Sequence, residues 1–196
     1  VLEANISLIL TQQLGNKWVN NNLSEFSKYY FAAIILGILI FSFILLSTYF
    51  LKDSIANWIS TQNNQSSLFS KSFFVYSISL GLGILTGFIS SLTQVLLKTK
   101  WPPVFNLPSA ILGVTYTIWA VSFQGVLAIA FGLLIKNLVY FLLISGYSFF
   151  LIKKEKIPFL LEISYVKKII KNIGLPFISK LAMTIASNSQ NFIIGI

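Results

Sequence analysis

A polytopic, all-α membrane protein is the fold class this sequence predicts, from three observations. Of its 196 residues 56% are hydrophobic and 10% charged, whereas a water-soluble domain carries about 25% charged residues to cover its surface. Uncharged apolar runs of about twenty residues recur, the length a helix needs to cross a hydrocarbon core of about 30 Å. Basic residues are concentrated in alternate connections between those runs. Strands of a membrane β-barrel would instead show as alternating stretches of about ten residues.

The opening stretch, Val1 to Gln13, is apolar but short and has no basic flank, so it reads as the tail of a helix whose beginning is missing. Gly15 to Lys28 is polar and rich in asparagine, and Tyr29 to Phe50 is the clearest span. Leu51 to Ser72 is mixed in character. It predicts a solvated loop with one amphipathic turn, on which Ile55 and Ile59 flank Trp58 as an interfacial anchor. Phe73 to Leu97 is the next span, with Gly83 and Gly87 spaced for close helix packing.

Lys98 to Pro103 makes a basic turn before the run Val104 to Val121, which holds Asn106 and Pro108 near its start. Proline suits the first turns of a helix; deeper in, it frees a carbonyl that a neighbour or water must satisfy. Ser122 to Gly125 is a short uncharged connector, and Val126 to Ile152 is apolar apart from Lys136 and Asn137. The basic stretch Lys153 to Asn172 leads into a last span, Ile173 to Ile196.

Cysteine and histidine are both absent, which removes thiolate chemistry, imidazole bases and the usual zinc and haem ligands. No pair of carboxylates falls within a span, which weighs against a proton or sodium site formed wholly by these residues. The chain is therefore expected to be no enzyme, with no catalytic residues, no metal and no cofactor. The formal net charge of +9 comes entirely from lysine, which is placed between apolar runs. Nucleic acid is thus not an expected partner, because binding it requires basic residues gathered on one polar face.

Charge also sets the topology. The first, third and fifth connections carry Lys17, Lys28, Lys98, Lys100, Lys153, Lys154, Lys156, Lys167, Lys168 and Lys171, while the second and fourth carry only Lys52 and Lys71. Lysine in short loops is retained in the cytoplasm, so the odd-numbered connections are expected inside. Ile169 and Ile170, set among the lysines of the fifth connection, suit either a plain topogenic segment or one lying along anionic headgroups.

Two spans carry polar residues that lipid cannot cover. A charge held in hydrocarbon costs at least about 2.5 kcal/mol, and such residues face an internal cavity or a partner. Lys136 and Asn137 are one such group; Lys180, Thr184, Asn188 and Asn191 form another in the last span. Either group could line a wet cavity or bridge helices, and Lys136 could also snorkel to an interface. As a cavity, lysines with amides suit an anionic, hydroxyl-rich ligand, since ammonium groups offset phosphate and amides hydrogen-bond sugars.

Three segments carry a family resemblance. ISLILTQQLGNKWVNNNLSEFSKYYFAAIILGILIFSFILL resembles the second and third transmembrane helices of polysaccharide flippases, in which a helix ends in a polar Gln-x-Leu-Gly turn. Gln12, Leu14 and Gly15 stand in those places. SLTQVLLKTKWPPVFNLPSAILG is similar to the family's basic turn between its fourth and fifth helices. KKIIKNIGLPFISKLAMTIASNSQNFIIGI is similar to the start of the seventh, through Gly174, Leu175 and Pro176 and the stretch from Asn191 to Gly195.

The resemblance implies an N-terminal six-helix lobe without its first helix over residues 1–152, a cytoplasmic basic linker over 153–172, and the first helix of a pseudo-symmetric second lobe over 173–196. It also implies a flippase of the bacterial or archaeal cytoplasmic membrane that moves a lipid-linked oligosaccharide, or another amphipathic anionic substrate, by alternating access for surface polysaccharide synthesis. Membrane lipids and a coupling cation, Na+ or H+, are the other implied partners. Asn188 and Asn191 stand where related proteins often carry an aspartate, which weakens any ion coupling based on carboxylates.

A multidrug extruder or a peptidoglycan lipid-precursor flippase of the same superfamily would share this architecture. Lys136 and Lys180 oppose an organic cation as cargo. A membrane component of an importer would be complete at about six helices. A membrane enzyme acting on lipid-linked sugars would need clustered acids, histidines or a metal site.

Overall fold

The computed structural model describes residues 2–59 and 63–172. Five helices run through it: α1 (Leu2–Val19), α2 (Leu23–Ile59), α3 (Asn63–Val95), α4 (Trp101–Gln124) and α5 (Val126–Lys154). A further helical stretch, 164–172, follows an irregular segment. Helices α2 to α5 are each long and apolar enough to cross a membrane. Large apolar side chains such as Phe43, Phe50, Ile118, Trp119 and Leu142 point outward from them, as an acyl environment permits. The protein is an all-α, multi-spanning membrane protein.

Helix α3 is the centre of the bundle. Half of its apolar window is buried (50%), against 22%, 17% and 22% for α2, α4 and α5, and it packs on α1, α2 and α5. The composition of α3 explains why. Buried Ser77, Ser79, Thr86, Ser90, Ser91 and Thr93 are small enough to let neighbours close in. Most of these hydroxyls bond carbonyls of their own helix, Thr86 to Leu82 at 2.7 Å and Ser91 to Phe88 at 2.7 Å. Gly83 and Gly87 are half-buried; on the α2 side the close approach falls at Gly81, which lies against Phe41.

The turns at one end of the bundle share one device. Asn21, Leu97 and Lys156 each adopt a left-handed backbone, φ 54, 57 and 51. In each case the next amide bonds a carbonyl five residues back: Asn22 to Lys17, Lys98 to Thr93, Ile157 to Ile152. This is the hydrogen-bond pattern that closes a helix with a left-handed residue. Asn22 then caps α2 through its Oδ1, which accepts the Glu25 amide at 3.1 Å. A shared cluster of Leu14, Phe26, Tyr30, Leu92, Val95, Leu151 and Ile157 keeps these helix ends level.

Several expectations change. The polar stretch after Gln12 is not a turn at Gly15: α1 continues to Val19, and the chain reverses at Asn20 to Asn22, where asparagine tolerates the left-handed region. The predicted loop from Leu51 to Ser72 is helical up to Ile59 and again from Asn63. Ala56, Ser70 and Ser72 are buried there, so α2 and α3 pack on each other beyond their apolar runs and tertiary contact sustains the helices. Helix α4 starts earlier, at Trp101, with proline in its first turn and Pro108 inside it. The connector Ser122 to Gly125 reduces to Gly125 alone.

The basic stretch after α5 is docked. Buried Ser27 of α2 donates to the Pro158 carbonyl and accepts the Leu160 amide at 3.0 Å. Phe159 meets Phe31, and Tyr165 stands edge-on to Tyr29 at 4.9 Å between centroids. Ile169 is fully buried against Leu10, Ala32, Ala33 and Phe88, so it does not lie along headgroups, whereas Ile170 is exposed. Ile169 is buried because residues 164–172 form a helix, which puts neighbours about 100° apart and sends the two isoleucines to different sides.

Candidate functional site

The polar residues within the described spans meet on α5, between α3 and α4. Helices α4 and α5 pack through small residues at steps of four: Ser109, Gly113 and Thr117 on one, Ala128 and Gly132 on the other, then Lys136. A Cβ at Gly113 would sit 2.5 Å from the Gly132 carbonyl oxygen and 2.9 Å from the Lys136 Cβ, and a Cβ at Gly132 would collide with Thr117. Glycine is what lets these two backbones touch.

Lys136 therefore leaves α5 beside Gly113 of α4. It is half-buried and lies about 15 Å along the helix from Val126, near the middle of a bilayer core. Among the described residues no carboxylate pairs with it; the two ion pairs join Lys17 to Glu25 and Lys28 to Glu162.

Asn137 points a different way. Its side-chain amide donates to both the carbonyl and the hydroxyl of Ser79 on α3, each at 2.9 Å. The structure thus sets Lys136 against α4 and Asn137 against α3, on different sides of α5. Asn137 ties two helices through its side-chain amide. Lys180, Thr184, Asn188 and Asn191 lie outside the described residues.

Sequence reasoning missed the partners. Ser79 carries no signal of its own on a helix with many serines. The spacing of Ser109, Gly113 and Thr117, and of Ala128 and Gly132, is the small-residue pattern read at Gly83 and Gly87, and it could have located the α4–α5 contact. A polar cleft at the far end of the α2–α3 hairpin, of about 360 Å³ and flanked by Lys52 and Lys71, was also unforeseen, because it needs both helices to persist beyond their apolar runs.

Ion pairs gather instead at the lysine-rich end. Lys28 lies 2.8 Å from Glu162 and over the Tyr165 ring at 5.7 Å. The Lys28 ammonium and the Ser164 hydroxyl hold the Glu162 carboxyl below the usual carboxylate range. Comparison with protein-family models, with curated proteins and with solved structures finds no match for this chain. What stands on its own architecture is a multi-spanning helical bundle of a kind able to serve membrane transport.

Proposed function

We propose that the chain is part of a flippase that moves a lipid-linked oligosaccharide, or a chemically similar amphipathic anion, across the cytoplasmic membrane by alternating access. The observation that carries this reading is Lys136, an ammonium set midway along an apolar helix with no counter-ion among the described residues. A charge in that position is stable when water or an anionic group reaches it, and a path that admits either at mid-membrane is what a transporter requires. The order and spacing of the three flippase-like segments support the same reading.

On this reading residues 1–152 form one lobe, 153–172 a linker on the cytoplasmic side and 173–196 the start of a second lobe. Lys180, Thr184, Asn188 and Asn191 would share the cavity with Lys136, while Asn137 holds α5 in register against α3. The charge on Lys136 disfavours organic cations as cargo. No covalent chemistry is involved: rocking of two lobes lets the polar head cross in water while the lipid tail stays in the bilayer.

The test is flipping of a fluorescent lipid-linked oligosaccharide in proteoliposomes containing the protein or Lys136→Ala. Loss of one favourable ammonium contact predicts a slowing of roughly tenfold. An unchanged rate would remove Lys136 from the substrate path.

A further inference from the structure

Helices α2 and α3 extend past the other described helices at the end opposite the basic one, which is outside the cell on the topology read from the lysines. The pairing of Asn137 with Ser79 fixes the register of α5 against α3. From that contact α3 continues to Asn63 while α5 stops at Val126, so α3 reaches about 7 Å beyond the Gly125 turn. The cleft between α2 and α3 lies level with that turn, since Lys71 and Ser67 stand about 12 and 18 Å from Ser79 along α3 while Gly125 stands about 18 Å from Asn137 along α5. A turn between two spans marks the zone where lipid headgroups meet water.

Its walls are polar. Lys52 and Asn57 come from α2, Lys71 and Ser67 from α3, and buried Ala56 lies among them. Asp53 is also present, but its Oδ1 accepts the Ser70 hydroxyl at 2.6 Å, which fixes that carboxylate at the α2–α3 contact. The Lys52 ammonium is held over the rings of Tyr49 and Phe74 at 5.5 and 5.8 Å, an anchoring suited to the interface between hydrocarbon and water. Two ammonium groups against one carboxylate leave the cleft net positive, with an amide and hydroxyls beside them. At about 360 Å³ it falls at the small end of ligand sites.

We propose that this cleft binds the phosphate of a hydroxylated lipid headgroup in the outer leaflet. Lys52 and Lys71 take the phosphate charge, while Asn57 and Ser67 hydrogen-bond the hydroxyls. These are also the only two lysines in the even-numbered connections, so here they hold a ligand rather than set topology. The site does not depend on what the bundle transports. Its ligand can come from bulk anionic phospholipid or from a lipid-linked phosphate delivered to that leaflet.

The test titrates the purified full chain in detergent with phosphatidylglycerol, phosphatidylcholine and a polyprenyl pyrophosphate, counting lipid adducts by native mass spectrometry. Phosphatidylglycerol should bind roughly tenfold more tightly than phosphatidylcholine, and K52Q/K71Q should lose that preference. Asn57→Asp, which adds a second carboxylate without removing a lysine and takes away one amide donor, should also weaken phosphatidylglycerol binding. Displacement of phosphatidylglycerol by the pyrophosphate identifies the lipid-linked source; no displacement identifies the bulk phospholipid. Equal binding of the two phospholipids, or a preference that survives in K52Q/K71Q, would overturn the proposal.

Discussion

Leu97 is a residue whose side chain contributes little where it stands and whose backbone decides a turn. It is 85% exposed, with φ 57, at the end of α3. A side chain in that conformation is strained relative to glycine, which adopts it freely. Leu97→Gly should therefore raise thermal stability in detergent by about 0.5–1 kcal/mol, read as a higher unfolding midpoint with helicity unchanged. A lower midpoint would show that the leucine side chain contributes through burial against lipid. This turn was only partly legible in the sequence: the basic motif Lys98 to Pro103 announced a connection, but nothing in Leu97 marks a left-handed residue. Asn21 does carry that mark, since asparagine adopts the left-handed region more readily than leucine, yet Gly15 drew attention first.

Among the elements, the α4–α5 pair depends most on particular side chains, since among the described residues α4 contacts the bundle almost wholly through α5. Gly132→Val would place a branched side chain on Thr117 and force the helices apart at the level of Lys136. Overpacking of this kind costs about 1–3 kcal/mol. The expected outcome is a lower unfolding midpoint together with readier labelling of a cysteine placed at Thr117, and unaltered labelling would show that the helices do not touch there. The existence of all four spans followed from hydropathy, because uncharged runs of that length have few alternatives. Their ends did not: α2 and α3 outlast their apolar runs through contacts made by Ala56, Ser70 and Asp53, and contacts between helices leave no local trace in either one. Lys136 and Asn137 were legible as misfits in lipid, but their separation to opposite neighbours depends on Gly113 and Ser79.

For the molecule as a whole, the docked segment 157–172 is the part with the clearest dependence on conditions. Glu162 is held by Lys28 and Ser164, so its folded pKa lies below its unfolded value of about 4.5. A depressed carboxylate contributes fully above the unfolded value and loses its contribution as pH falls through the folded one. Hydrogen exchange across 157–172, corrected for intrinsic rate, should accelerate between about pH 7 and about pH 3. Glu162→Gln should show the faster exchange already at neutral pH. Equal protection at both pH values would leave the docking to Ser27, Phe31 and the buried Ile169. The sequence placed this segment on the lysine-rich side, and it was the alternation of buried Tyr165, Val166 and Ile169 with exposed Lys167, Lys168 and Lys171 that showed one face attached to the bundle.

The single glycine between α4 and α5 bears on how the chain is made. Gly125 takes φ 56 and ψ −131, a backbone conformation open to glycine and almost to nothing else, and it leaves no loop between the two helices. Synthesis from the N-terminus delivers α4 before α5. When Lys136 reaches the bilayer, Gly113 is already present on a neighbour that cannot drift away, and the two segments can partition from the translocation machinery as one hairpin. The one mid-span charge on an otherwise strongly apolar helix thus enters lipid already shielded on the side where it begins.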